Sequence, residues 1–275
     1  MWNSPSNGSM GLIAGEGAFP VLIAKAAASQ RKKLTVFGIE GCFDKKIEDF
    51  AEGLHTIKLG AVEDLVKLLK ENKIKKLVLA GGIPKKEILN PSFRMDASAK
   101  KIIQKQSNRG DDHLLRAFQL FLKVKCGVSV MDPRHFLKES LCPKGVLTER
   151  KPSVEEWRDL KFGWTVAKRI GRMDIGQTVV IKRLVVLAVE AMEGTNHAIL
   201  RGGELGRGEV VVVKRTKPNQ DLRFDLPCVG LETLETLKTV SSRVLGLEAH
   251  KTLLISKEEL LQKANEENIS IVGLD

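Results

Sequence analysis

Apolar positions in the first half of the chain gather into short unbroken runs that end on glycine or an acid, with helix-spaced segments between them. The runs GLIAG (11–15), KLTVFGI (33–39), KKLVLAGG (75–82) and GVSVMD (127–132) predict strands. Helices are predicted over 18–29, over 62–73, where Val62, Leu65, Val66 and Leu69 share a face, and over 111–125, where Leu114, Leu115, Phe118, Phe121 and Leu122 do. Strand and helix alternating in this way predict an α/β domain with a parallel sheet, whose ligands sit at the carboxyl ends of the strands.

The pattern lapses from Pro133 to Pro152, a stretch with three prolines, five basic residues and little periodicity that reads as the crossing between domains. A helix restarts after it, with Ser153 and Glu156 as a capping box and Val154, Trp157, Leu160, Trp164, Ala167 and Ile170 as its buried stripe. TVVIKRLVVLAVEA (178–191) predicts two strands around a Lys182-Arg183 turn, and EVVVVKR (209–215) a third. Helical segments near 195–205, 230–241 and 256–267, with strands at 251–255 and 269–272, make the second half a mixed α+β domain.

Charge changes the picture. The 275 residues carry 45 Lys and Arg against 34 Asp and Glu, a net +11, and a basic protein of this kind meets phosphate in a nucleotide, a nucleic acid or an anionic membrane surface. Ten Lys or Arg against two acids within residues 73–109 supply +8 of that excess. That run is poor in aromatics and holds a glycine turn, which favours phosphate handling over base stacking. The four cysteines are too far apart for a CxxC site and too few for a disulfide scaffold, so a reduced, cytoplasmic setting is expected. Residues 18–30 are not read as a secretory signal, because no basic segment precedes them and Lys25 interrupts them. With no apolar run near 18 residues, any membrane contact is expected to be peripheral.

Three places invite chemistry. GEGAFP (15–20) follows a strand and precedes a helix, the setting in which backbone N–H groups receive phosphate. Pro20 breaks the GxGxxG pattern and Glu40 is only a loose candidate for the ribose-binding acid, so a dinucleotide clamp is disfavoured against another ligand turn or a purely structural one. LAGGIPKK (79–86) closes another strand with Gly81 and Gly82, and two glycine turns on one sheet edge make a cleft more credible than either alone. At Asp111 and Asp112 helix capping competes with ligand contact.

The second half gathers Asp174, Gln177, Glu190, Glu193, Lys214, Lys217, Arg223 and Asp225 near glycines, prolines or strand ends. Carboxylates suit Mg²⁺ and the cations suit phosphoryl charge, although a salt bridge explains any single acid as well. Asp225 stands between Phe224 and Leu226-Pro227, where an uncompensated carboxylate is costly, so a cation or metal is expected beside it. GxxxxGK[ST], HExxH, zinc spacings and the metallophosphoesterase boxes are missing from the sequence.

Taken together, GLIAGEGAFP, RGDD followed by LLR, IGRMDIGQTVV, VLAVEAMEGTNHAILR and FDLPCVG resemble the LpxI type of UDP-2,3-diacylglucosamine pyrophosphatase over residues 11–274. The resemblance implies a Rossmann-like N-terminal domain (1–132), a linker (133–152) and a C-terminal catalytic domain (153–275), two domains closing on a shared chamber. It implies Mg²⁺-dependent hydrolysis, possible with Mn²⁺, to UMP and 2,3-diacylglucosamine 1-phosphate in lipid A biosynthesis, with attack on the sugar-side phosphorus. Asp225, Lys214 and Arg223 are its expected catalytic groups, and Asp174, Glu193 and Asp225 its metal ligands. Gly15, Gly17, Ala18, Gly81, Gly82, Asp111, Gln177, Gly194 and Thr195 are expected against the substrate. Glu16, where many relatives have glycine, and GGIPKKE depart from the pattern.

The expected partner is a UDP-diacyl sugar met at the inner membrane surface, without nucleic acid and with a homodimer as a possibility. Two rivals stay open: a nucleotide-sugar-binding module without catalysis, and a nucleic-acid-binding protein using residues 73–109.

Overall fold

The computed structural model describes residues 10–83, 93–104, 111–218, 220–223 and 226–275, with the side chains at 111–113 also outside the description. It divides into two compact units. One holds the chain up to Leu137 together with a short segment that begins at Asp221, and the other runs from Lys138 to Gln220 and from Leu226 onward. The division falls inside the proline-rich stretch.

The first unit is built on strands β1 (Met10–Ala14), β2 (Leu34–Ile39), β3 (Gly53–Ile57), β4 (Lys76–Ala80) and β5 (Ser129–Val130). They form one all-parallel sheet in the order β3-β2-β1-β4-β5. This is the doubly wound arrangement, and the order reverses between β1 and β4. Helices α2 (Val62–Glu71) and α4 (Asp111–Cys126) cover one face, where Leu65, Leu69 and Leu122 meet Ile13, Phe37 and Leu77. Alternation turns Leu12, Val36 and Val78 to the other face, on the side packed by α1 (Phe19–Ser29) with buried Ile23, Ala24 and Ala27. Helix α3 (Ala97–Gln104) is anchored at Asp96, whose Oδ1 accepts from the Ala99 N–H at 2.7 Å.

The second unit has a six-stranded sheet in the order β6-β13-β11-β9-β7-β8. Strands β9 (Val211–Lys214), β11 (Val244–Glu248) and β13 (Ser270–Leu274) are parallel, while β6 (Gly145–Val146), β7 (Thr178–Lys182) and β8 (Val185–Val189) run against them or each other at the edges. Helix α5 (Val154–Arg172) lies on one face, Leu160 and Ala167 packing on Val179, Ile181, Val211 and Val213. Helices α6 (Thr195–Gly206), α7 (Leu231–Thr239) and α8 (Lys257–Glu266) take the other, with Ile199, Leu234 and Leu260 against Val180, Val212 and Leu245. The approach is close enough that a Cβ on Gly163 of α5 stands 2.8 Å from the Val213 side chain. Strands β10 (Cys228–Val229) and β12 (Leu253–Leu254) pair beside this sheet.

The Ser153–Glu156 capping box forms with both of its hydrogen bonds. Val154, expected in the buried stripe, is 66% exposed, because it occupies the first helical position, ahead of the sheet contact. The β7–β8 turn falls at Arg183-Leu184, both with positive φ, and not at Lys182-Arg183. Asp159 explains the shift: its two carboxylate oxygens accept from the Arg183 and Leu184 N–H groups at 2.8 and 2.7 Å. All four cysteines are free thiols, and burial pushes Cys142 up to about 12.

Candidate functional site

The first unit places its glycine turns where the strand order reverses. β1 runs into Gly15 and β4 into Gly81, and the two turns are tied by Gly15 N to Ala80 O at 2.9 Å, Glu16 N to Gly82 O at 2.8 Å and Gly82 N to Glu16 O at 3.1 Å. Glycine is required for this approach: a Cβ on Gly15 stands 2.3 Å from the Gly82 carbonyl oxygen, and one on Gly81 2.6 Å from that of Glu16. Gly17 and Gly82 differ, since a Cβ on either meets nothing within 4 Å. Beside them α1 starts at Ala18 with no side-chain cap and no acid in its first turn. The result is a cradle of backbone groups at a helix N-terminus, the electrostatic setting for a phosphate.

The cradle also makes a clean prediction. Gly82→Ala introduces no clash and no positive-φ strain, so its stability is expected within about 0.5 kcal/mol of the parent. The new methyl stands in the open cradle, so KM for a phosphorylated ligand is expected to rise about tenfold, on the scale of one lost hydrogen bond. Melting curves and initial-rate kinetics on the same preparation check both halves.

At the same carboxyl edge, beyond β5, a repeated Asp-x-Arg pattern closes two turns. Asp132 accepts from the Arg134 N–H at 2.9 Å and from its guanidinium at 2.5–3.0 Å. Asp221 accepts from the Arg223 N–H at 3.1 Å and from its guanidinium at 2.9 and 2.6 Å, with Arg116 of α4 at 4.0 Å. Each arginine is held up by its own aspartate first and also by that of the other pair. These contacts belong to the first unit, so the chain that carries Arg223 returns to it from the second half. Sequence reading singled out Arg223 but passed over Asp132, Arg134, Asp221 and Arg116. The pattern DPR and DLR was the available signal.

The carboxylates of this clasp titrate low. For Asp132 burial is the largest influence and raises it, but the Arg134 hydrogen bonds and charge together outweigh burial; for Asp221 the Arg223 side-chain bond leads and lowers it. A depressed carboxyl stabilises the fold above its unfolded value, near 3.9, and loses that stabilisation as pH falls through the folded value. The melting temperature of the parent is therefore expected to fall more steeply below pH about 4 than that of Asp221→Asn. Melting curves from pH 7 to 3 on both proteins measure the difference.

In the second unit the residues at the carboxyl ends of β8 and β9 form a buried polar network. Lys214, 7% exposed, donates to Thr195 Oγ1 at 3.2 Å and to the Cys228 carbonyl at 3.0 Å. Thr195 donates to Glu190 Oε1 at 3.0 Å, and Thr178 Oγ1 lies 3.4 Å from it. Register explains the convergence, since Thr178 faces Lys214 across β7 and β9 and its carbonyl accepts from the Glu190 N–H at 2.9 Å. Gly194 at φ +84° turns the chain into α6 and sets Thr195 at its first position. Glu190 Oε2 and Gln177 Oε1 are buried acceptors without a hydrogen-bond partner among the described residues. An acid closing the apolar run VVLAV was the sequence signal for Glu190.

The other expected residues are placed apart from that network. Asp174, at φ +56° and largely exposed, pairs with Lys217 at 2.7 Å. Glu193 pairs with Arg201 at 2.7 Å and accepts from the Ala191 N–H at 3.0 Å; its own backbone first, then Arg201, holds its carboxyl low. Among the described residues no group of three His, Cys, Asp or Glu side chains converges as a metal site. Asp111 opens α4, with its side chain outside the description, and Asp225 lies outside the described residues. So do residues 84–92 and 105–109 of the basic run; its Lys73, Lys75, Lys76, Lys100 and Lys101 are exposed. Among the described residues no helix is long and apolar enough to cross a membrane.

A doubly wound unit with a glycine-lined backbone cradle at its switch point, joined in sequence to a mixed-sheet unit with a buried Glu-Thr-Lys network, defines a two-domain α/β protein. The LpxI N-terminal domain matches residues 9–140 and the LpxI C-terminal domain residues 143–272, so the chain belongs to the LpxI family. It is 28% identical over 277 residues to the UDP-2,3-diacylglucosamine pyrophosphatase LpxI of Caulobacter vibrioides, covering 97% of each chain. A shorter similarity, 33% over 110 residues, covers 35% of this chain and 21% of the bifunctional purine biosynthesis protein PurH of Deinococcus radiodurans. Among solved structures, the biotin carboxylase domain of a thermophilic 2-oxoglutarate carboxylase aligns with 62% of this chain and 34% of its own at 14% identity, with a TM-score of 0.23.

Proposed function

We propose that this protein is a pyrophosphatase that hydrolyses the diphosphate of UDP-2,3-diacylglucosamine to UMP and 2,3-diacylglucosamine 1-phosphate, with Mg²⁺, in lipid A biosynthesis. The observation that carries this reading is the match of both halves of the chain to LpxI domains, extended by the end-to-end similarity to the Caulobacter pyrophosphatase. One P–O bond of the diphosphate bridge breaks; the oxygen of water joins the phosphorus it attacks, and the bridging oxygen leaves with the other phosphate.

The cradle of Gly15, Gly17, Ala18, Gly81 and Gly82 receives phosphate oxygens through the N–H groups of Gly17, Ala18 and the first turn of α1. The Gly15 and Gly82 N–H groups, donated to the Ala80 and Glu16 carbonyls, shape its wall. Lys214 and Arg223 oppose the charge that builds on the phosphoryl oxygens, and a buried ammonium does this more effectively than an exposed one. Asp225 holds or orients the attacking water. Two acyl chains on the substrate direct the protein to the cytoplasmic surface of the inner membrane as a peripheral visitor.

Among the described residues two oxygen acceptors suit a hard divalent cation in kind, although no three acids converge there. Glu190 Oε2 and Gln177 Oε1 are buried oxygen acceptors with bonding capacity left over, while the Asp174 and Glu193 carboxylates are engaged by Lys217 and Arg201. Glu190 therefore joins Asp225, Asp174 and Glu193 as a candidate ligand. When bound, Mg²⁺ supplies Lewis-acid polarisation of phosphoryl oxygen.

The test is incubation of the purified full-length chain with UDP-2,3-diacylglucosamine. UMP release is expected with Mg²⁺ or Mn²⁺, lost in EDTA and not restored by Zn²⁺ alone, and calorimetric titration of Mn²⁺ into the protein is expected to show saturable binding weakened by Glu190→Gln. Hydrolysis that survives exhaustive chelation would remove the metal from the mechanism. Absence of UMP under every condition would remove the hydrolysis.

A further inference from the structure

Helix α5 keeps Leu160, Gly163, Ala167 and Gly171 buried toward the second sheet and turns a run of cations away from it. Arg158, Lys161, Lys168, Arg169 and Arg172 are all exposed. At 3.6 residues per turn these five fall within an arc of about 100° and extend along about 21 Å of helix. No acid occurs between Lys161 and Arg172. The acids of α5 lie at or before Asp159: Glu156 pairs with Arg150 at 2.6 Å, Asp159 accepts from the β7–β8 turn, and Glu155 in the first turn lies within electrostatic reach of Arg158. Asp174, just past the helix, is taken by Lys217 at 2.7 Å. Among the described residues none of the five cations forms an ion pair.

Exposed apolar side chains stand at both ends of this basic face. Met173 and Ile175, 71% and 41% exposed, follow the helix directly. Leu184 and Val185, 51% and 57% exposed, sit at the β7–β8 turn, which Asp159 holds to the helix one residue after Arg158. Arg183 in that turn adds another exposed cation. A face that is merely solvated intersperses both signs of charge and leaves out large aliphatic groups. A surface for single-stranded nucleic acid offers exposed aromatic rings for stacking, whereas Phe162 and Trp164 of α5 are half-buried and Trp164 is covered by the Arg215 guanidinium at 4.1 Å. Cations of one sign with aliphatic ends match a partner that is anionic at its surface and apolar just beneath it.

We propose that this face of α5, with the apolar pair at each end, docks on an anionic phospholipid surface: the cations meet lipid phosphates while Met173, Ile175, Leu184 and Val185 enter the interface. The proposal rests on the pyrophosphatase reading only for the reason to visit a bilayer, a substrate held there by two acyl chains, and it adds which surface makes the visit. Each Lys or Arg near such a surface is worth about fivefold in partition, so the attachment is reversible and is released by salt.

The experiment is cosedimentation of the full chain with vesicles of phosphatidylcholine alone and of phosphatidylcholine mixed equally with phosphatidylglycerol. The parent is expected to bind the mixed vesicles at least about tenfold more strongly than the neutral ones and to be released by added salt. Lys161→Glu combined with Lys168→Glu is expected to weaken that binding at least about tenfold, while the same reversal at the exposed Lys100 and Lys101 of the first unit changes it less than about threefold. If the glutamate pair does not fold, Lys161→Gln with Lys168→Gln decides, with an expected loss of at least about fivefold. Met173→Ser with Ile175→Ser is expected to weaken binding at least about fivefold, and no loss there would overturn the insertion of the apolar ends. Equal binding to both vesicle types, equal losses from the two pairs of reversals, or a parent that binds duplex DNA and not vesicles would each overturn the docking face, the last in favour of nucleic acid. With UDP-2,3-diacylglucosamine in neutral detergent micelles, the Lys161→Glu, Lys168→Glu protein is expected to keep the rate of the parent. Vesicle binding by a parent that releases no UMP would overturn the pyrophosphatase reading and leave the face standing. A parent that hydrolyses the substrate but ignores anionic vesicles would overturn the face alone.

Discussion

Asp225→Asn is expected to lower turnover on UDP-2,3-diacylglucosamine by about 10²-fold or more, the scale for losing one directly acting group. The residue lies in the FDLP motif, two positions after Arg223 and one before Leu226, which is 5% exposed. Asparagine keeps the shape of the side chain and removes the charge, so it cannot hold a divalent cation or orient water as a carboxylate does. Folding is expected to be unaffected, and the melting curve is measured beside kcat. A folded Asp225→Asn protein with near-normal turnover would take the residue out of the mechanism. A protein that loses kcat but keeps UMP binding would place the defect in the chemistry and not in substrate capture.

The sequence pattern revealed the elements with strong periodicity and hid those that tertiary packing creates. α2 and α5 came through because each carries an amphipathic stripe, and α5 also carries its capping box. β3 and β11 were not predicted. GLHTI has a glycine and a histidine and is mostly half-buried at a sheet edge, so neither alternation nor an apolar run marks it. VLGLE is wholly buried at the centre of the second sheet, but its glycine interrupts the run; that glycine is needed because a Cβ there would stand 2.6 Å from Leu160. Helix α3 lies in the basic run, where charge masked its short stripe of Ala99 and Ile102.

The candidate site was legible in the same uneven way. Glycine turns after strands point to a cradle through local sequence alone, and Gly15 and Gly81 confirm that local need in their close backbone approach. Glu190, Thr195 and Lys214 are brought together by strand register across β7, β8 and β9, and the sequence alone gives no hint of that register. Asp174 and Glu193 sit beside glycines much as a ligand would, yet the structure gives each an arginine or lysine partner that spacing could not reveal. The Asp-x-Arg clasp required knowing that the chain near Asp221 rejoins the first unit, a long-range fact.

Lys214→Met is expected to produce the second large effect, and a double variant shows where that effect comes from. Methionine matches the length and apolar stem of lysine but removes the ammonium. Thr195 Oγ1 and the Cys228 carbonyl then lose a donor, and the Glu190 carboxylate, 7% exposed and linked to Lys214 through Thr195, loses its nearby compensating charge. Breaking such a buried arrangement is expected to cost about 3 kcal/mol of stability. Turnover is expected to fall by about 10²–10³-fold, as when a positioned group that stabilises transition-state charge is lost. Stability alone cannot separate these roles, because a structural lysine would also be missed. Lys214→Met combined with Glu190→Gln removes both charges and is expected to regain about half or more of the lost stability, since replacing a buried charged pair costs less than breaking it. Because Glu190 is itself a candidate metal ligand, turnover is compared with that of Glu190→Gln alone: if Lys214 acts on the phosphates, the double variant is slower than Glu190→Gln by about 10²-fold or more despite its recovered melting temperature. A double variant as active as Glu190→Gln alone would instead assign Lys214 to holding the edge of the second sheet, and leave Arg223 as the cation for the phosphoryl charge.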